Sequence, residues 1–242
     1  HSTGIVVYEN NVYVVDGERD IVQKFDNDGN FILKWGGTGN ENGEFDEPQG
    51  ITIDSNGIVY VADSKNHRIQ QFTTDGEFLS SFGKYGFGDG KLKTPVDVAI
   101  YGDFIYVSDP GNYKIEKYSS DGIVLESFDY KFGGFPVRPG GLTVDPNGDI
   151  YFVDASKYRV IKINSDGRTL ASWGGVGKGD GKFIGPEDVV TGMEEDVPEL
   201  AAPPMPMQMD VPVPEPLIAP KTVFSALLSL PLATSFKDFP YP

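Results

Sequence analysis

Residues 59–83 read "VYVADSKNHRIQQFTTDGEFLSSFG", and phrases of the same form stand at three other places in the chain. We take as reference the Asp that follows each Tyr-[Val/Phe]-x segment. The copies then lie 47, 46 and 45 residues apart, at Asp16, Asp63, Asp109 and Asp154. In each copy an aromatic residue closes the unit nineteen residues after this Asp: Trp35, Phe82, Phe128 and Trp173. The chain therefore contains a fourfold internal repeat whose length varies only in the connecting loops.

Each copy predicts four short antiparallel strands. In the second copy these are "GITID", "VYVAD", "RIQQF" and "FLSSFG". An Asp-Gly pair between two apolar runs favours a hairpin, because Gly accepts a positive φ and Asp bonds its own backbone. The corresponding turn glycines are Gly29, Gly76, Gly122 and Gly167. Four strands repeated about every 45 residues are typical of the blades of a β-propeller.

The stretch "PQGITIDSNGIVYVADSKNHRIQQF" (residues 48–72) resembles the NHL repeat. That pattern runs Pro-x-Gly-Ile-x-hydrophobic-Asp, then Val-Tyr-Val-x-Asp, then Asn-x-Arg-Ile-x-x-Phe. The matching residues are Pro48, Gly50, Asp54, Gly57, Tyr60, Asp63, Asn66, Arg68 and Phe72. The resemblance covers about residues 1–190 and implies the propeller fold, whereas it says little about function.

Two copies depart from the NHL pattern. In the third copy Asp97 stands where Gly50 stands in the second, and Lys114 replaces the Arg. In the first copy Ser2 replaces the Pro, and Ile21 occupies the Arg position. A fifth copy begins at residues 186–192 with "PEDVVTG" and is not continued. We therefore predict an all-β propeller over residues 1–192, with four complete four-stranded repeats and the first strand of a fifth.

The acidic turns allow a second interpretation as calcium loops, since Ca²⁺ prefers oxygen ligands. An EF-hand would also need alternating carboxylates, a Glu at the twelfth position and flanking helices, and the sequence has none of these. The hairpin interpretation is therefore preferred. Gly-rich segments between the copies run into Pro and another strand, which favours blade-to-blade connections over phosphate-binding loops.

Two further sets of repeated charges are open to structural and functional interpretations. The reference Asp of each copy is expected to tie a strand to a turn, because four equal catalytic acids are a less simple explanation. The basic residues Arg68, Lys114 and Arg159 share one repeat position. They are expected to pair with acids of their own copies, although some NHL-like propellers bind RNA through such a face.

Enzymatic relatives of NHL proteins imply sites that this sequence does not reproduce. Amidating lyases hold zinc with several histidines, and here the histidines are His1 and His67. Lactonase-like propellers hold calcium at the channel mouth. At the corresponding starts of the inner strands this chain carries a largely apolar set: Thr3, Gln49, Val96, Gly140 and Glu187. No Gly-x-Ser-x-Gly elbow is present. The sequence thus predicts neither a catalytic site nor a metal or other cofactor.

Composition limits the partners and the location. The net charge of −16 and the pI near 4.4 argue against nucleic acid, which requires a basic surface. No apolar run approaches the length of a membrane span. The absence of Cys leaves the compartment open. The chain begins at His1 rather than Met, which favours a processed protein that is secreted or at the cell surface.

Residues 193–242 form a compositionally distinct tail. They hold eleven of the eighteen prolines and all four Met, which is typical of an extended segment. The last part, "KTVFSALLSLPLATSFKDFPYP", is apolar and is predicted to dock on the propeller of its own or a neighbouring subunit, for example by adding a strand to a sheet edge. The residues predicted to make this contact are Val223, Phe224, Leu227, Leu228, Leu230, Leu232, Phe236, Phe239 and Tyr241.

These observations led to one functional prediction and two alternatives. The prediction is a non-enzymatic structural protein, with the propeller as a rigid block and the tail joining copies into an oligomer or filament. One alternative is a monomeric propeller that binds a protein or a glycan. The other is a lyase-like or lactonase-like propeller enzyme that depends on a metal.

Overall fold

The computed structural model describes residues 2–132 and 134–191. These residues form eighteen β-strands, and none of them belongs to a helix that could span a membrane. Sixteen strands make four antiparallel sheets, each built from four consecutive strands, and these sheets are the four blades. The remaining two strands form a small hairpin between the third and fourth blades.

The strands follow one another in chain order within each blade. Blade 1 contains β1 (Ser2–Tyr8), β2 (Asn11–Asp16), β3 (Ile21–Asp26) and β4 (Phe31–Gly36). Blade 2 contains β5 (Pro48–Ile53), β6 (Val59–Asp63), β7 (Arg68–Phe72) and β8 (Phe78–Phe82). Blade 3 contains β9 (Asp97–Tyr101), β10 (Phe104–Asp109), β11 (Lys114–Ser119) and β12 (Val124–Asp129). The hairpin is β13 (Lys131–Phe132) and β14 (Phe135–Pro136). Blade 4 contains β15 (Pro139–Val144), β16 (Ile150–Asp154), β17 (Arg159–Ile163) and β18 (Thr169–Gly174).

The repeated Asp-Gly turns join the third and fourth strands of each blade. Their glycines have φ between 74° and 82°, a backbone conformation that glycine adopts without steric cost. Gly76 also packs against the ring of Trp35 in the preceding blade, where a Cβ would lie 2.8 Å from the ring. Gly122 and Gly167 contact Phe82 and Phe128 in the same way. The turn glycine of one blade therefore packs against the closing aromatic of the blade before it.

The apolar core lies between successive blades. The inner strands contact one another in the order β1, β5, β9 and β15. The connections between blades add buried apolar side chains to these interfaces: Phe45, Leu92 and Val137. Blades 2 and 3 thus each bury one face against the blade before and the other against the blade after, as stacked repeats do.

The first and last blades each have one face without such a neighbour. Ile5 of β1 and Ile51 of β5 occupy equivalent register positions, opposite Val14 and Val61 respectively. Ile51 is 7% exposed beneath blade 1, whereas Ile5 is 68% exposed. Among the described strands, no extensive contact joins the inner strands of blades 1 and 4. The described blades therefore form an open arc.

The predicted all-β propeller with four complete four-stranded repeats is confirmed. The predicted first strand of a fifth repeat is not formed, because residues 186–191 are not paired as a strand. They nevertheless lie beside β15, where the Gly141 amide donates to the Glu187 carbonyl at 3.0 Å. A strand forms by pairing with a neighbouring strand of its sheet, and the described residues include no second strand of that blade.

Candidate functional site

The inner strands of the arc enclose a cleft of about 870 Å³. Its walls come from the first residues of β1, β5, β9 and β15, and from residues 186–190. A cleft of this volume is large enough to hold a small organic molecule. The candidate site is therefore placed where the repeats converge on the arc axis.

One repeat position decides how closely the inner strands approach within this cleft. It is glycine in three copies and aspartate in two: Gly4, Gly50, Asp97, Gly141 and Asp188. A Cβ added at Gly50 would lie 2.1 Å from Oδ1 of Asp97. A Cβ at Gly141 would likewise lie 2.2 Å from Oδ1 of Asp188. Each aspartate thus fills the space that the glycine of the preceding blade leaves open.

Asp97 joins three blades through its carboxylate. The Val98 amide donates to Oδ1 at 2.9 Å, and the Leu142 amide of blade 4 donates to Oδ2 at 2.8 Å. The side chain lies over Gly50 of blade 2 on its other side. Two backbone donors therefore fix the carboxylate, while each oxygen keeps a lone pair for a further partner.

The surroundings of Asp97 change its acidity. Desolvation by the packed inner strands raises its pKa to about 7, and the negative charge of Asp188 contributes in the same direction. The two amide donors oppose this shift without cancelling it. Asp97 is therefore a fixed carboxyl group that gains and loses a proton near neutral pH while facing the cleft.

Other charged residues line the same cleft at more exposed positions. Glu187 and Asp188 lie on the segment beside β15, and Arg138 precedes β15. Of the described residues that line the cleft, Arg138 alone is a cation. The cleft thus combines one deeply placed carboxyl group with two carboxylates and a guanidinium nearer to solvent.

The reference Asp of the second and third copies has a structural role, as expected. Asp63 is fully buried and accepts hydrogen bonds from the Asp46 amide, Arg68 Nε and Gln70 Nε2 at 2.9, 2.7 and 3.0 Å. Asp109 accepts from the amides of Lys93 and Thr94. These carboxylates tie the second strand of a blade to the loop that enters the same blade.

The repeated basic residues are paired within their own blades, which confirms that expectation. Arg68 binds Asp63, and Arg159 binds Asp154 through Nε and Nη2 at 2.9 and 2.7 Å. Lys114 forms its ion pair with the buried Glu116. These cations therefore have internal partners.

The predictions about the C-terminal tail and about the location of the protein remain untested. The nine apolar tail residues, Val223 to Tyr241, lie outside the described residues, so their contact with a subunit stays a prediction. The location outside the cell also stays a prediction. In residues 2–132 and 134–191, no cluster of three or more His, Cys, Asp or Glu side chains is arranged to hold a metal ion.

Comparisons with known proteins agree with the architecture. The family model of the NHL repeat matches residues 45–72, so this part of the chain is an NHL repeat, as its motif indicated. A search of curated protein sequences found no match.

Solved structures with a similar fold include enzymes. A catalytically inactive virginiamycin B lyase from Staphylococcus aureus, with quinupristin, has a TM-score of 0.59 at 15% identity, covering 77% of this chain and 58% of the lyase. The glutaminyl cyclase of Myxococcus xanthus has a TM-score of 0.52 at 14% identity, covering 71% of this chain and 69% of the cyclase. A nidogen/laminin complex contains a chain with a TM-score of 0.53 at 16% identity, covering 67% and 59%. The chain thus spans little more than half the length of the lyase.

These findings correct the functional prediction. The sequence led us to expect a non-enzymatic, self-assembling structural protein, and that prediction is wrong because the fold on which it rested is shared with a lyase and a cyclase. The sequence argument considered Gln49, Val96, Gly140 and Glu187 but not the residue that follows each of them. The structure places both residues of each pair on the cleft, including Asp97 and Asp188. At this low identity the similarity establishes the fold only.

Proposed function

We propose that this chain is an enzyme of the lyase type that holds a small molecule in the axial cleft and uses Asp97 to transfer a proton. The observation that carries this proposal is the position of Asp97, fixed by two amides at the junction of three blades and facing the cleft. A general base works best when its pKa lies near the working pH, and burial raises that of Asp97 to about 7.

The residues of the cleft can supply the proton transfer. In an elimination, ionised Asp97 takes a proton from a carbon next to a carbonyl group, the electron pair forms a double bond, and the leaving group departs from the adjacent carbon. The protonated carboxyl group can then return its proton to the leaving group. Arg138, on the same cleft, is suited to stabilise the negative charge that develops on the carbonyl oxygen. The lyase among the structures of similar fold supports this choice of reaction class.

The test uses a panel of β-substituted esters and amides, together with quinupristin. Formation of the double bond is followed by absorbance and mass spectrometry, because elimination leaves the summed mass of the products equal to that of the substrate, whereas hydrolysis adds water. We expect kcat/KM of the wild type to rise with pH through a pKa near 7. Asp97→Asn should lose about 100-fold or more, the usual contribution of a general base.

Asp188→Asn is the matched control. It removes a charge that raises the pKa of Asp97 but keeps the base itself. The variant should remain active, with its pH profile displaced toward lower pH. Full activity in Asp97→Asn, or a wild type that converts no member of the panel between about pH 5 and 8, would refute the proposal.

A further inference from the structure

The connection between blades 2 and 3 differs in charge from the connection between blades 1 and 2. Residues 36–47, between blades 1 and 2, contain four acids and no Lys or Arg, a formal charge of −4. Residues 83–94, between blades 2 and 3, contain three lysines and one Asp, a formal charge of +2. The two segments have the same backbone plan, because a parallel bridge joins Thr38 to Phe45 in one and Tyr85 to Leu92 in the other. We call residues 83–94 the basic connection.

Two aromatic side chains stand exposed on the basic connection. Tyr85 is 58% exposed and Phe87 is 70% exposed. Their ring centroids lie 6.2 Å apart, and the ring of His67 lies 4.8 Å from that of Tyr85. At the equivalent positions of residues 36–47, the connection between blades 1 and 2, the residues are Thr38 and Asn40. The rings are therefore specific to this connection and are held by one another rather than by the core.

Three lysines accompany these rings on the basic connection: Lys84, Lys91 and Lys93. Lys93 Nζ lies 5.3 Å from the centroid of Phe87, within the range of a cation–π contact. Lys84 and Lys91 each precede a member of the parallel bridge, which places them side by side. The contact with Lys84 is the main cause that lowers the pKa of Lys91 below its ordinary value. Two adjacent ammonium groups repel each other, and an anion placed between them would relieve this repulsion.

Exposed aromatic residues are enriched at protein interfaces, where they supply much of the binding energy. Peripheral charges of one sign select partners of the opposite sign. In about 0.1 M salt the screening length is about 10 Å, so this local positive surface acts despite the total charge of −16. That total charge nevertheless disfavours polyanions with a high and continuous charge density, such as nucleic acids or sulfated polysaccharides.

We infer that the basic connection is a binding surface for an acidic polypeptide segment that contains aromatic residues. The partner's rings pack on Tyr85 and Phe87, while its carboxylates pair with Lys84, Lys91 and Lys93. The inference is independent of the cleft and of its chemistry.

Fluorescence anisotropy with three labelled polymers tests this surface. The probes are a random copolymer of Glu and Tyr, poly-glutamate, and a heparin-derived oligosaccharide, all in about 0.1 M salt. We expect the wild type to bind the copolymer about tenfold more tightly than poly-glutamate. The double variant Tyr85→Ser, Phe87→Ser should abolish this difference, and Lys84→Ser, Lys91→Ser should weaken binding of both polypeptides by about tenfold.

The connection after blade 4 supplies matched controls, since its bridge joins Val176 to Phe183. Val176→Ser and Lys182→Ser change the positions equivalent to Tyr85 and Lys91 and should leave binding unchanged. All altered side chains are partly or largely exposed, and thermal melts of the variants check that the fold is kept. The inference is overturned if the controls weaken binding equally, if the copolymer binds no better than poly-glutamate, or if the oligosaccharide binds most tightly.

Discussion

Blades 1 and 2 have the same strand order and nearly the same repeat pattern, yet equivalent side chains have different surroundings. Blade 2 lies between two blades, whereas blade 1 has a neighbour on one side only among the described residues. Phe72 is fully buried, while the equivalent Phe25 is half-buried. The reference carboxylate Asp63 is fully buried among several donors, while Asp16 lies 3.7 Å from the exposed Arg19. The comparison teaches that the contribution of a repeat residue to stability depends on the neighbouring blade as much as on the residue itself.

The largest effect is expected at Phe72. Its ring contacts Trp35, Phe45 and Phe78 at centroid distances of 5.9, 5.5 and 6.0 Å. Phe72→Ala should lower the free energy of unfolding by about 4 kcal/mol, because it leaves a cavity between two blades. Phe25→Ala should cost about 1 kcal/mol. Urea denaturation of both variants measures the difference, and equal losses would show that the neighbouring blade is irrelevant.

The next effect concerns the reference carboxylates. Asp63→Asn should cost about 3 kcal/mol, because the buried Arg68 pair and the Asp46 amide lose a charged acceptor. Asp16→Asn, whose partner Arg19 is 59% exposed, should cost less than about 1 kcal/mol. Denaturation at neutral pH compares them. A cost at Asp16 as large as that at Asp63 would contradict the argument from burial.

Asp97 extends the comparison to blade 3, where it replaces the glycine of blades 1 and 2. Its folded-state pKa of about 7 lies above the ordinary value of 3.8, so folding favours the protonated form. Its contribution to stability is complete below about pH 4 and is lost as the pH rises through 7. The loss between pH 4 and 8 should be about 2 kcal/mol, allowing for the partial exposure of the side chain.

Asp97→Asn should lack this part of the pH dependence. The measurement is the difference between wild type and variant in unfolding free energy at several pH values, since other carboxylates titrate in both proteins. Parallel curves would mean that Asp97 has an ordinary pKa.

The smallest effect isolates the contact between a turn and the preceding blade. Gly29 and Gly76 both have φ of +82°, so alanine strains the backbone equally at each. An added Cβ meets nothing within 4 Å at Gly29 but meets Trp35 at 2.8 Å at Gly76. Gly76→Ala should therefore cost about 1 kcal/mol more than Gly29→Ala. Thermal melts of the two variants suffice, and a difference of the opposite sign would exclude the proposed packing.

The repeat spacing predicted the blades, their hairpin turns and the structural role of Asp63, because these depend on local patterns that recur in the sequence. Asp97 was visible only as a departure from the glycine of the motif. Its significance depends on the close approach of the inner strands, which places its carboxylate over Gly50 and within hydrogen-bond distance of the Leu142 amide. The exposed rings of Tyr85 and Phe87 could not be recognised either, because Leu92 in the same loop is fully buried. Composition alone does not distinguish the two environments.

The contact of the turn glycine with the closing aromatic of the previous blade, made by Gly76, Gly122 and Gly167, also has a kinetic consequence. Every blade is stabilised by its immediate neighbours, so opening should begin at the ends of the arc and proceed inward. Backbone amides of β6 and β10 should exchange with solvent deuterium most slowly, and those of blades 1 and 4 more rapidly. A protein built in this way can lose an outer blade transiently while the junction of blades 2 and 3 keeps its shape.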